Sequence, residues 1–345
     1  MNRKIFITGE SGTIPMAIQD IANRNSEFTI MNSHSSDLYN LNRLKVHKSF
    51  EVRKPEIDFL NRDLLFNDLE KIWEHTDIII HSGAFVGTDF CQADPQGAIR
   101  TNVEGTKNIV DICNKYNIDL VYFSTTAIFD IDDYSSTKAI TEYTKIQPNT
   151  LYGITKYAGE QIVNKLCENK KMIIRPVFGF GNYPDDLHSA LTKIIYVLYY
   201  NYYMKSTKID VLLDVNIPKS YIRVENIANV VLKAIKEEIW NKEINVGELF
   251  CNSLNWHELF NKIKVQYKSL IDDGKFIESI TLNNEAINFI PSEDYLHYHN
   301  INDIKSRNLN VDVNSIGDYI SIDSGIHLTC SSVIKNIEKK AFWIS

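Results

Sequence analysis

Short apolar runs alternate with longer stretches of helical periodicity through the first half of this chain. Runs at 4–8, 28–31, 77–81, 119–123 and 171–175 have the length and bulk of buried parallel strands. Between them, around 15–24, 66–75, 95–116 and 152–168, the spacing predicts helices. This alternation predicts an α/β fold, a doubly wound parallel sheet with helices on both faces. Ligands of such sheets bind beyond the carboxyl ends of the strands. Gly9, His81 and the pair Ser124-Thr125 all fall at such ends, so one cleft can collect them.

After Pro176 the pattern breaks. Phe178 to Pro184 is rich in glycine and aromatics and reads as a loop. A helix over 187–204 and a strand from Ile209 to Leu213 are expected next, and 221–239 reads as a return to the first domain. The expected organisation is a first domain of 1–176 plus about 219–249, and a smaller C-terminal α/β substrate-binding lobe of 177–218 plus about 250–345. The elements of that lobe are poorly patterned.

The 345 residues suffice for a sizeable core and two domains. A net charge of −7 argues against a protein built to hold a nucleic-acid backbone, but not against a small anionic nucleotide. Five scattered cysteines without a Cys-x-x-Cys pair read as buried or incidental thiols of a reducing cytoplasm. The opening residues lead straight into a strand, so no signal peptide is expected. Ile194 to Tyr200 is too short to span a membrane, and Lys193, Asn201 and Lys205 flank it. An amphipathic helix over the core fits it best, and a tyrosine-lined substrate wall is the alternative.

Two motifs add chemistry. Gly9, Gly12 and Pro15 follow the first strand at three-residue spacing and precede an apolar-periodic segment. A strand, a tight glycine turn and a helix let backbone N–H groups approach a pyrophosphate at a helix N-terminus. A surface turn is the bland alternative. Tyr152 and Lys156 stand four residues apart, on one face of a helix. A fixed cation favours the phenolate and moves a tyrosine toward the working pH range.

In this order, the motifs resemble the extended short-chain dehydrogenase/reductase family, whose members modify nucleotide sugars. The resemblance covers most of the chain. It rests on Thr8 to Pro15, Asp63-Leu64, Asp77 to Ala84, Asp94-Pro95, Asn102 to Thr106, Val121 to Thr125, Tyr152 with Lys156, and Ile174-Arg175-Pro176. Tyr221 to Ala228, Asn245-Val246-Gly247 and Asp303-Ile304-Lys305 extend it. The resemblance implies a Rossmann domain and an NAD(P) cofactor. It sets the dinucleotide against Gly9, Ser11, Gly12, Thr13, Ile14, Asn32, Asp63, Leu64, Ser82, Gly83, Ala84, Asn102, Lys156 and Pro176. It implies Thr125, Tyr152 and Lys156 as catalytic residues. Tyr152 would exchange a proton with a sugar hydroxyl, Lys156 would hold the nicotinamide ribose, and Thr125 would position the sugar oxygen. Phe85, Thr126, Lys219, Arg223 and Arg307 are the residues expected at the substrate.

Dehydratases of that family carry acidic residues just after the catalytic threonine. Here Thr126 and Ala127 stand there, and neither can do carboxylate work. Dehydration is therefore disfavoured, and a 4-epimerase or a 4-keto-sugar reductase fits. No acid stands at the end of the second strand to hold a ribose 2′-hydroxyl. Asn32 to Ser36 lean slightly to NADP, although an Asn32 carbonyl could equally accept a ribose hydroxyl, and a free loop fits as well. Pro15 replaces the third glycine of the turn, and Asp130 replaces the glycine that the family carries after Val-Tyr. His297 and His299 flank Tyr298 without a convincing third ligand, so no metal is expected. A reductase of a non-sugar carbonyl and a non-catalytic nucleotide-binding protein are the competing readings. A cytoplasmic homodimer is expected, paired through the helices near 95–116 and 152–168.

Overall fold

The computed structural model describes residues 2–31, 58–129, 143–181, 191, 209–211, 220–247, 256–270, 287–289 and 320–342. The chain divides into two compact units. The first comprises Met1–Asp130, Thr144–Pro176 and Ala228–Asn245, and the second Ile131–Tyr143, Val177–Ile227 and Val246–Ser345.

The first unit carries the alternation that the apolar pattern predicts. In chain order it holds β1 (Arg3–Thr8), α1 (Thr13–Asn23), β2 (Phe28–Ile30), α2 (Glu70–Trp73) and β3 (Ile78–His81). Next come α3 (Thr88–Ala93), α4 (Pro95–Ile99), α5 (Thr106–Tyr116), β4 (Asp119–Phe123), α6 (Leu151–Leu166) and β5 (Lys171–Pro176). With β9 (Lys242–Val246), the strands form one sheet in the order β2-β1-β3-β4-β5-β9. The pairs β1–β2, β1–β3, β3–β4 and β4–β5 are parallel. The central strands β1, β3, β4 and β5 are largely buried on both faces, as their near-continuous apolar sequences require. One face packs Phe6, Ile79, Leu120, Tyr122 and Ile173 against Ile109, Ile112 and Val163 of α5 and α6. Trp73 closes that cluster, edge-on to Phe6 at 4.7 Å, with its indole N–H donating to the Leu65 carbonyl at 2.6 Å.

The helix expected over 95–116 is not continuous. Asp94 caps α4 by accepting from the Gly97 N–H at 2.9 Å, and Pro95 occupies the first turn. Arg100–Gly105 then widens into a π-helical segment before α5 resumes. A second wide turn, Leu64–Asp68, precedes α2 where a plain helix over 66–75 is expected.

The second unit holds β6 (Phe178–Phe180) parallel to β8 (Tyr221–Arg223), and β7 (Ile209–Val211) parallel to β10 (Ile287–Phe289). Two helices, α8 (Trp256–Leu270) and α9 (Ile322–Phe342), pack on each other. The helix α7 (Val224–Lys236) begins in this unit, and the chain returns to the first at Ala228. Most of the helix expected at 187–204 lies outside the described residues. No described helix is long and apolar enough to cross a membrane. Cys91, Cys113, Cys167 and Cys330 are buried and unbridged.

A buried polar chain ties the strand tips of the first unit together. Thr106 Oγ1 donates its one hydrogen to the Asn102 carbonyl at 2.7 Å, so it can only accept from His81 Nε2 at 3.2 Å. His81 therefore carries its hydrogen on Nε2, and Nδ1 accepts from the Thr8 hydroxyl at 2.7 Å. Thr8 Oγ1 accepts in turn from the Gly83 N–H at 3.1 Å. Only a neutral imidazole satisfies this chain. Burial, reinforced by the Lys156 charge, pushes the His81 pKa down to about 3.

Two outcomes follow from this packing. The unfolded chain binds a proton at His81 near its ordinary pKa of 6.5, and the native state does so only near 3. The contribution of the neutral ring is complete above 6.5 and is lost as pH falls toward 3. Denaturant titrations at pH 7 and 5 should show wild type losing up to ~2 kcal/mol more than His81→Gln; equal losses would remove the assignment. A Cβ on Gly159 of α6 would overlap the Tyr122 hydroxyl. Gly159→Ala should therefore cost ~1–3 kcal/mol, part of it recovered on adding Tyr122→Phe. Strict additivity of the two changes would show that the hydroxyl is not the obstacle.

Candidate active site

The glycine turn opens at the tip of β1. Gly9 has φ +67°, a left-handed conformation that favours glycine. A Cβ there would stand 2.7 Å from the Gly83 Cα, so the loops after β1 and β3 meet backbone to backbone. The Gly12 N–H donates to the Gly9 carbonyl at 2.9 Å and closes the turn. Gly12 is the N-cap of α1, and no acidic residue lies in the first turn. Ser11, Thr13 and Ile14 are part-exposed around this end. The first N–H groups of a helix have no carbonyl partner within it, and with the positive end of the helix dipole they make an end of this kind a cradle that fits a pyrophosphate. Pro15 is accommodated in the first turn of α1, beside Gly12.

The second wall is the loop after β3. Ser82 and Ala84 are part-exposed and Gly83 is buried. Phe85 exchanges both backbone hydrogen bonds with Asn102, its N–H reaching Oδ1 at 2.8 Å and its carbonyl receiving Nδ2 at 3.0 Å. The other Nδ2 hydrogen goes to Thr155 Oγ1 on α6, also at 3.0 Å. Asn102, expected at the dinucleotide, spends both of its amide hydrogens on protein groups and fastens the β3 loop to α6.

The third wall is the first turn of α6 against the end of β4. Thr150 caps α6 by accepting from the Gly153 N–H at 3.1 Å. A Cβ on Gly153 would overlap the Ala127 carbonyl, so this glycine lets the helix seat directly on the turn that follows β4. That contact brings the Tyr152 and Thr125 segments together. Thr125 Oγ1 accepts from the Ala127 N–H at 3.1 Å, which fixes its rotamer. Its hydroxyl hydrogen is committed to no described residue and can be offered to a ligand oxygen.

Tyr152 is half-buried. Lys156, one turn on, is 2% exposed, with its ammonium 4.3 Å from the centre of the Tyr122 ring. Burial pushes its pKa down to about 7, against an opposing pull from the negative charge of Glu160. Anionic phosphates nearby would favour the charged form. Pro176 ends β5, and its carbonyl accepts from Thr126 Oγ1 at 3.4 Å. Thr126, expected at the substrate, is 2% exposed and is turned into this strand-end contact.

Three other residues expected at the site have definite surroundings. Asp63 leads into the wide turn and Leu64 packs on the core cluster. The side chain that abuts Gly83 is Phe59, which also stands edge-on to His81 at 5.3 Å. Asp58-Phe59 repeats the acidic–apolar pattern of Asp63-Leu64. Arg223, expected at a diphosphate, is 5% exposed within the second unit. Its Nη1 donates to Thr329 Oγ1 at 2.6 Å, and its Nη2 pairs with Glu225, so its fork holds α9. Asn32, Asp130, Lys219, His297, His299, Asp303 to Lys305 and Arg307 lie outside the described residues.

Residues 3–269 match the family described as the RmlD substrate binding domain. A Methanocaldococcus jannaschii protein assigned as a UDP-glucose 4-epimerase is 28% identical over 261 residues, 71% of this chain and 80% of that one. Among solved structures, RMD of Pseudomonas aeruginosa complexed with NADPH superposes with a TM-score of 0.70 at 14% identity, over 97% of this chain and 100% of that one. The UDP-glucose 4-epimerase of Thermotoga maritima with UDP-glucose gives 0.70 at 16% identity, over 97% and 99%. The glycine cradle at β1, the α6 pair beside the end of β4 and the match over 3–269 converge. The chain belongs to the RmlD substrate binding domain family, within the extended short-chain dehydrogenase/reductase group of NAD(P)-dependent oxidoreductases and epimerases.

Proposed function

We propose that this protein interconverts a hydroxyl and a ketone at one carbon of a nucleotide-linked sugar, as a 4-epimerase or a 4-keto reductase. The observation that carries the reading is the seating of α6 through Gly153. It sets the Tyr152 turn against the Thr125 turn, with Lys156 buried behind. The names of the relatives, an epimerase of UDP-glucose and an NADPH-bound protein, support the same chemistry.

The backbone N–H groups of the Gly9–Gly12 turn would hold the pyrophosphate, and the Lys156 ammonium would hold the nicotinamide ribose. When bound, the dinucleotide supplies or accepts the hydride. The Tyr152 hydroxyl moves the proton at the sugar oxygen, and the Lys156 charge makes its phenolate accessible. The Thr125 hydroxyl donates to the same oxygen and orients the carbon for transfer. Elimination of water is not part of this reading. Ala127 has no ionisable group, and Thr126 is turned to Pro176.

The apolar residues Ile99 on α4 and Ile154 on α6 are 44% and 49% exposed. They lie on the helices expected to pair two copies, and a homodimer through this face belongs to the proposal. A monomer at micromolar concentration by light scattering would overturn it.

Tyr152→Phe should lower kcat by ~10²–10⁴-fold. The NADPH or NADH dissociation constant should stay within ~3-fold of wild type, because the phenol acts on the proton and not on binding. Unimpaired turnover would end the assignment. UDP-glucose should give no 4-keto-6-deoxy product; its appearance would restore the dehydratase reading. Denaturing the purified protein and identifying released nucleotide separates the two remaining modes. Retained NAD marks an epimerase, and empty protein that takes up NADPH marks a reductase.

A further inference from the structure

Among the described residues, Lys156 makes no direct ion pair, yet an extended polar cluster begins one turn further along its helix. Glu160 is fully buried and grips Arg175 of β5 with both oxygens, from Nε at 2.9 Å and from Nη2 at 2.8 Å. The same Nη2 reaches Glu243 of β9 at 2.6 Å. Arg175 is itself fully buried, and its guanidinium lies 5.4 Å from the centre of the Phe129 ring. Glu243 is about one-third exposed (35%).

A buried ion pair of this kind is poor evidence for stability, because apolar residues of equal volume commonly do as well. The cluster's charge balance suggests another use. Two carboxylates share one guanidinium, so the trio carries one net negative charge. It sits on the sheet face that α6 covers, and Lys156 and Glu160 are at i and i+4 on one side of that helix. The other groups facing Lys156 are neutral or weakly polar. His81 of β3 is held as a neutral ring, the Cys91 thiol of α3 is pushed up to about 11 by burial, and Tyr122 of β4 is pushed up further. Tyr152 stands one turn before it on the same helix.

We propose that Glu160, Arg175 and Glu243 are positioning residues that keep Lys156 charged in its buried setting, with Arg175 metering how much carboxylate charge the ammonium feels. Without Glu160 the ammonium would lose its counter-charge. With Glu160 unpaired, a full buried carboxylate would face it. The shared guanidinium holds the balance between these extremes, and Glu243 is its partly exposed member. The inference rests on reading Lys156 as the cofactor-binding cation.

The test measures NADPH and NADH dissociation constants by fluorescence from pH 6 to 9.5, for wild type, Glu160→Gln, Glu243→Gln and Lys156→Met. In wild type, binding should weaken as the ammonium deprotonates. Both Gln variants should move that midpoint to lower pH, Glu160→Gln by more, each by ~0.3–1 pH unit. A merely structural cluster would weaken binding equally at every pH or lower the melting temperature, and leave the midpoint in place. An unmoved midpoint in a folded variant overturns the proposal. Glu243→Gln decides alone if Glu160→Gln does not fold. Should the wild-type midpoint persist in Lys156→Met, the reading of Lys156 itself fails, and that outcome is distinct from the first.

Discussion

Close approach of one helix to one sheet governs this protein. Gly153 and Gly159 are the two positions of α6 where a methyl group would strike the Ala127 carbonyl and the Tyr122 hydroxyl. Interiors pack at crystal-like density, so such contacts allow little slack. With both methyls absent, α6 lies low over the end of β4. Its first turn reaches the threonine turn, and Lys156, between the two glycines, lands on the Tyr122 ring. The proposed chemistry is a consequence of that spacing more than of any single hydrogen bond.

Electrostatics then follow from depth. A lysine at the surface keeps its proton across the whole working range; burial makes this one hold its proton less firmly, with the Glu160 charge pulling the other way. Burial acts in the same direction on His81. Its ring is kept neutral so that each nitrogen has a defined role, one donating to Thr106 and one accepting from Thr8. The strand tips are thus joined by hydrogen bonds of one fixed direction, with no histidine charge among them.

Much of this arrangement was legible in the residues. The parallel strands are readable because burial on both faces forces near-continuous Ile, Val and Leu, as at Ile78-Ile79-Ile80. The glycine turn and the Tyr152–Lys156 pair are local motifs whose geometry follows from spacing. What escaped was set by contacts distant in sequence. Nothing local says that Asn102 will spend its amide on Phe85 and Thr155, whereas a strand-end hydrogen bond at Thr126 was one of the readings open from its place after β4. Arg223 reads as a surface cation until Thr329, more than a hundred positions on, is found beneath its guanidinium. Helix α9 was hidden because Ser and Thr interrupt an apolar stripe that Ile326, Cys330 and Val333 nonetheless maintain.

The wide segment between α4 and α5 sets a phase relation along the chain. Each residue of a helix advances the side-chain direction by ~100°, so the extra residue of a π turn rotates all that follows. Asn102 points inward to the loop and to α6 from within this segment, while Ile99 before it points out and Ile109 after it points into the core. Losing a single residue here would leave the helix intact yet turn α5 like a key in the wrong notch. The core stripe, the amide clamp and the outward apolar patch would fall out of step together, so the length of this segment is constrained more tightly than its composition.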